Sequence, residues 1–239
     1  MANKTNIVLV HGAWGDGSHW RKVIPILKDA GHEVVATQNP LTSLGDDAEI
    51  TRRLAESMEG PTILVGHSYG GAIITEAAGK CPNVTALVYI AAFAPDTDEN
   101  LGGLLGRTDP PPGGAALRPD KYGNLWIERG LFAENFSQDC DPIESLVMAA
   151  AQKPTSTKCF ENKPTNAGWK NLPCWYQVSD NDRMIPPITE QFFADRMNAT
   201  TIHLPASHAS MASHPREIAD FIMRAARESV EKKAKQPAL

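Results

Sequence analysis

Apolar residues along this chain follow two alternating rhythms. Short runs rich in branched residues, Ile7 to Val10, Glu33 to Thr37, Thr62 to Val65 and Val84 to Ile90, read as strands buried in a sheet. Between them apolar residues fall at helical spacing. Trp20, Val23, Ile24 and Leu27 follow a Ser18 N-cap and stop at Gly31. Ile50, Leu54 and Met58 follow Asp46 or Asp47 as cap, and the small residues Ala72 to Ala78 make a third helix. The alternation resumes late in the chain: a strand at Cys174 to Val178, a helix at Ile188 to Met197, a strand at Thr200 to Leu204 and an amphipathic helix from Ile218 to Ala226. Strands that alternate with helices in this way predict an α/β fold, a mostly parallel sheet flanked by helices.

Residues 95–171 break the pattern. "TDPPPGGAALRPDKYG" has no period and reads as loop, while "GLFAENFSQD" and "DPIESLVMAAAQK" read as short helices, with few strand signals anywhere in the stretch. The expectation is a core made of 1–94 and 172–239, with 95–171 inserted as a helical cap over the carboxyl edge of the sheet. That insertion serves as a lid or as a homodimer surface, and the sequence leaves both open.

The chemistry sits where a strand meets a helix. "ILVGHSYGGAII" places Ser68 in the pattern Gly-x-Ser-x-Gly, with Gly66 and Gly70 on either side. Roughly one chain in a dozen of this length carries the pattern by chance. The flanking strand and helix turn it into a nucleophile elbow, in which a tight turn lifts the serine hydroxyl clear of the sheet. Gly71 lets the helix pack closely behind it.

A serine hydroxyl needs a base, and on this architecture nucleophile, acid and base follow in that chain order. His208 lies in "LPASHASMASHP", a small-residue loop after the last strand, and is the expected base. His203 sits inside the strand and His214 precedes a proline at a helix start; both read as structural. The acid belongs after the preceding strand, where "WYQVSDNDRMIPP" offers Asp180 and Asp182.

An oxyanion needs two backbone N–H donors. Tyr69, directly after the nucleophile, supplies one. Ala13, in the "HGAW" loop after the first strand, is the candidate for the other, with Gly12 allowing close approach. His11 reads as an organiser of that loop. Trp14, Trp126, Phe132 and Phe136 are candidate walls of an apolar substrate pocket, although Phe132 and Phe136 stand four apart and read equally well as one buried helix face.

Composition narrows the setting. The 239 residues suffice for one sizeable domain, 42% of them are hydrophobic, and the net charge is −5. No basic run precedes the last residues, which gives a nucleic-acid partner no support. No apolar run is long enough to span a bilayer. The opening "MANKTNIVLVHG" lacks the apolar core of a signal peptide, so a cytoplasmic location is expected, and "VEKKAKQPAL" reads as a frayed helix end with a polar tail. Cys81, Cys140, Cys159 and Cys174 form no Cys-x-x-Cys pair and are expected as reduced thiols.

Taken together, "VLVHGAW", "GHSYGG", "DRMIPP" and "SHASMASHP" resemble the α/β-hydrolase superfamily, on the branch of plant methyl-salicylate-type esterases, hydroxynitrile lyases and small bacterial carboxylesterases. Members usually show Asp-x-x-Ile/Val-Pro after the acid's strand, and Asp182 fits that pattern better than Asp180. The resemblance implies a Ser68–His208–Asp182 triad, an acyl-enzyme, and no metal or organic cofactor. No Arg or Lys in residues 95–171 stands out as a carboxylate clamp, so a small to medium uncharged ester, lactones included, is the expected substrate. The lyases typically carry threonine in place of Gly12 and lysine in place of Ala209. Both departures point away from cyanohydrin cleavage. A ligand receptor without turnover is the remaining alternative on this fold.

Overall fold

A computed structural model of the protein describes residues 5–235, so the polar tail expected at 236–239 and the first four residues lie outside the described residues. The chain runs β1 (Asn6–Val10), α1 (Val23–Asp29), β2 (Glu33–Ala36), α2 (Leu44–Glu56), β3 (Thr62–His67), α3 (Tyr69–Ala78) and β4 (Val84–Ile90). It then enters the irregular stretch: α4 (Leu101–Leu105), β5 (Leu117–Pro119), β6 (Asn124–Ile127), α5 (Arg129–Phe136), α6 (Pro142–Ala150), β7 (Thr155–Ser156) and α7 (Lys158–Glu161). It closes with β8 (Cys174–Ser179), α8 (Pro187–Arg196), β9 (Thr200–Leu204), α9 (Ser210–Ser213) and α10 (Pro215–Lys235).

Six strands form one sheet in the order β2-β1-β3-β4-β8-β9, and every pairing in it is parallel. Every residue of β1, β3 and β4 is buried, as continuous apolar runs between two helical layers require. Parallel strands bring all their carboxyl ends to one edge, and chemistry on such sheets gathers there. The four cysteines are free thiols. Among the described residues, no helix is long and apolar enough to cross a membrane.

Three local readings change. The turn after β1 is capped by Asp16, whose carboxylate accepts the Ser18 N–H at 2.7 Å, so Ser18 sits inside the turn. The cap of α2 is Ser43, which accepts the Asp46 N–H at 3.2 Å, while Asp47 turns inward and is fully buried. The inserted stretch is not purely helical either. β5, β6 and β7 pair into a small antiparallel sheet. Strands of two to four residues are too short to show an alternating pattern, which is why periodicity passed over them.

Candidate active site

The elbow is strained and is held in place by backbone hydrogen bonds. Ser68 lies between β3 and α3 with φ 54° and ψ −123°, a left-handed conformation that costs a non-glycine residue about 1–3 kcal/mol. Its N–H donates to the Ile90 carbonyl at 3.2 Å, and its own carbonyl accepts from Gly71 at 3.0 Å and Phe93 at 3.1 Å. These bonds tie the end of β3 to the end of β4 and over-determine the turn. The flanking glycines are required by close approach. A Cβ on Gly66 would stand 2.5 Å from the Gly70 carbonyl oxygen, and one on Gly70 would stand 2.5 Å from that of Val10.

Gly12 brings the loop after β1 against Ser68. A Cβ there would lie 2.7 Å from Ser68 Cβ and 3.0 Å from the His67 carbonyl oxygen. The next residue, Ala13, is buried beside it. His11 organises the loop as expected: its Nε2 accepts the Asn39 N–H at 3.1 Å, so Nδ1 carries the proton and donates to the Gly12 carbonyl at 2.9 Å. Burial lowers its pKa to about 4 and keeps the ring neutral.

The structure brings Asp182, and not Asp180, to His208. Asp182 Oδ2 lies 2.5 Å from His208 Nδ1, with both side chains wholly buried. The other carboxylate oxygen of Asp182 accepts the backbone N–H groups of Met184 at 2.6 Å and Ile185 at 2.9 Å. Asp180 is partly exposed and pairs with His203 at 2.8 Å instead. With Nδ1–H donating to a carboxylate, Nε2 of His208 is the unprotonated nitrogen, and it makes no hydrogen bond, to Ser68 Oγ or to any other group, among the described residues.

His67, adjacent to Ser68, ties down the loop that carries His208. Its Nε2–H donates to the His208 carbonyl at 2.8 Å, and the two rings lie 4.8 Å apart. Burial holds His67 well below the ordinary histidine range, so it stays neutral. Phe136 packs edge-on to His208 at 4.9 Å, and its carbonyl accepts the Ala209 N–H at 3.1 Å. Phe132 stacks behind Phe136 at 4.7 Å. Both phenylalanines thus stand in the ring cluster behind the histidine.

Trp14 adopts φ 62° and is locked from both sides. Its N–H donates to Thr155 Oγ1, its carbonyl accepts the Lys153 N–H, and its indole N–H donates to the Leu125 carbonyl. Trp126 is elsewhere. It lines a cavity of about 520 Å³ with Arg118, Glu128, Arg129 and Gln152, whose walls include none of Ser68, His208 and Asp182.

Two buried carboxyls near the site were not legible as such. Asp47 accepts the Tyr69 hydroxyl at 2.7 Å and the Leu41 N–H at 2.9 Å, yet burial raises its pKa to about 6. Glu190 of α8 is wholly buried next to Asp182, while Ile188 two residues earlier is exposed. Helical periodicity predicts the reverse for this pair.

A family model described as the alpha/beta hydrolase family matches residues 7–221, and the chain belongs to that family. A carbendazim hydrolyzing esterase of Nocardioides is 36% identical over 122 residues, a match spanning 44% of this chain and 49% of that protein. An alpha-hydroxynitrile lyase of Arabidopsis thaliana is 26% identical over 93% of this chain and 97% of its own length. Plant methylesterases match as well, so the chain lies on the branch that holds these plant enzymes. Among solved structures, a pyrethroid hydrolase from Sphingobium faniae superimposes with a TM-score of 0.80 at 24% identity, over 95% of this chain and 99% of that one. Likeness at that identity shows the fold.

Proposed function

We propose that the protein is a serine carboxylic ester hydrolase that cleaves an uncharged ester, lactones included, through an acyl-enzyme on Ser68. The observation that carries this is the Asp182–His208 pair, 2.5 Å apart and sealed from solvent, with Nε2 left free in the loop that His67 ties to the elbow. Named esterases and hydrolases among the relatives support the same reaction class.

In this mechanism His208 Nε2 takes the Ser68 proton as Oγ attacks the ester carbonyl carbon. The carbonyl electron pair moves to oxygen, where the N–H groups of Ala13 and Tyr69 receive it. Asp182 fixes the imidazole tautomer and faces the imidazolium that forms. The tetrahedral species collapses, the C–O bond to the alcohol breaks, and the alcohol leaves with the proton from His208. Water then enters by the same steps and releases the acid and free Ser68.

Cyanohydrin cleavage is the second reading, because the matched lyase covers nearly the whole chain. Gly12 and Ala209 stand where the lyases typically hold threonine and lysine, which favours ester hydrolysis. The test is turnover of p-nitrophenyl acetate, butyrate and octanoate by wild type and Ser68→Ala, with cyanohydrin cleavage and ligand-induced thermal shift in parallel. Burst and turnover lost in the variant support the proposal. Equal background rates in both proteins overturn it; cyanohydrin cleavage then favours the lyase reading, and ligand binding without turnover the receptor reading.

A further inference from the structure

Two buried carboxyls in contact pose a charge problem. Asp182 receives three donors: the N–H groups of Met184 and Ile185 on one oxygen and His208 Nδ1–H on the other. Glu190, wholly buried on α8, receives one, the Ser179 N–H at 2.9 Å on Oε2. Its Oε1 has no N–H or O–H donor among the described residues, yet its side chain is in hydrogen-bonding contact with Asp182.

The groups facing Glu190 offer no countercharge. Asp182 acts on it most strongly, with Asp180 also contributing, and both are carboxylates. Tyr176 of β8 faces the pair, but its hydroxyl donates to the Ala92 carbonyl at 2.5 Å. Arg196 of the same helix engages the Ala94 carbonyl and Glu99. His208 is engaged with Asp182 Oδ2. Two desolvated anions in contact are mutually unfavourable, so one of the two holds a proton. The donor count assigns the negative charge to Asp182.

We propose that Glu190 is a positioning residue whose carboxyl stays protonated and donates its O–H to Asp182. The inference rests on the Ser68–His208–Asp182 reading. The O–H bond draws electron density from Asp182 and fixes its plane toward His208. The chain of partners then runs from His208 through Asp182 to Glu190, carrying one negative charge.

The proposal makes Glu190→Gln and Glu190→Leu behave differently. Glutamine keeps an N–H donor toward Asp182, and the acid limb of kcat/KM stays within a few tenths of a pH unit of wild type. Leucine removes the donor, Asp182 becomes the stronger partner of a charged His208, and the acid limb moves up by about one pH unit. A downward shift in Glu190→Leu means that an anion was removed, and overturns the proposal. Unshifted limbs in both variants leave Glu190 with a packing role only, and overturn it too. Infrared difference spectra at pH 8 decide the matter even where the leucine variant fails to fold. A protonated-carboxyl band present in wild type and absent from Glu190→Gln is expected, and its absence from wild type overturns the proposal. At that pH Asp47, with its pKa near 6, is ionised and silent. Because the spectrum needs no turnover, an active Ser68→Ala would sink the hydrolase reading while leaving the Glu190 result readable.

Discussion

Asp182 and His208 meet at 2.5 Å with both side chains sealed from solvent, whereas Asp180, two residues earlier, meets His203 at the surface. The two pairs are alike in chemistry and opposite in setting. Asp182→Asn presents a donor where the imidazole needs an acceptor and forces the wrong tautomer. The expected loss in kcat is about 10³–10⁴-fold on a p-nitrophenyl ester, with KM little changed. Asp180→Asn breaks an exposed pair and is expected to leave kcat within about twofold. Steady-state kinetics on the two variants side by side is the check; equal losses would reassign the acid.

Gly12 sets how closely the loop after β1 approaches Ser68. A methyl group at Gly12 would meet Ser68 Cβ at 2.7 Å and the His67 carbonyl at 3.0 Å, both on a rigid turn. In the proposed mechanism Gly12→Ala therefore displaces the Ala13 N–H, the proposed oxyanion donor, from Ser68. The expected cost is about 10²-fold in kcat. Acylation by a fluorophosphonate should slow in parallel, since it needs the same donors. A variant with wild-type kcat would remove this loop from the oxyanion site.

Tyr69 plays two separable parts. Its backbone N–H is the proposed oxyanion donor, while its side chain donates to Asp47 at 2.7 Å. Tyr69→Phe leaves a buried carboxyl one donor short, and about 1–3 kcal/mol of stability is expected to go. Turnover per folded molecule should hold within about threefold, because the N–H is untouched. Denaturant melts and active-site titration separate the two effects. Asp47→Asn should recover part of the lost stability in the Phe background.

Acid should weaken the fold through its buried histidines. Burial lowers both His11 and His19 from 6.5 to about 4. A group whose folded pKa lies below its unfolded value stabilises above the unfolded value, and loses that contribution as pH falls. The window here runs from about 6.5 down to about 4, with about 2 kcal/mol per histidine gone by pH 5. Asp47 has the opposite sign: its pKa is raised from 3.8 to about 6, so its contribution is full below 3.8 and lost as pH rises through 6. Urea melts at pH 7 and pH 5 should show wild type losing more stability than His19→Gln. Equal losses would mean that His19 is charged in the folded protein.

The core strands were plain in the sequence because burial on both faces leaves nothing but apolar residues to read. Ser68 and His208 were plain because each follows a strand end in a loop of small residues. Asp182 needed the family pattern, since distance along the chain favours Asp180 equally. Asp47 and Glu190 stayed hidden for one reason. Each sits in a helix where an acidic residue normally marks the solvent face, and only a third-dimensional partner, Tyr69 or Asp182, turns it inward. The strands of the small sheet were hidden by length. Their support comes from far along the chain: the carbonyl of Leu125 in β6 is engaged by the Trp14 indole from more than a hundred residues away.

The Phe136 carbonyl, bonded to the Ala209 N–H, and the Phe136 ring, set against His208, wire the inserted stretch into the loop that carries His208. The position of His208 therefore depends on residues 95–171 as well as on its own loop. A chimera that takes its insertion from a relative inherits a foreign brace behind its own histidine. Exchange of residues 95–171 as a block would disturb this brace, whereas point changes that spare Phe136 would leave it in place.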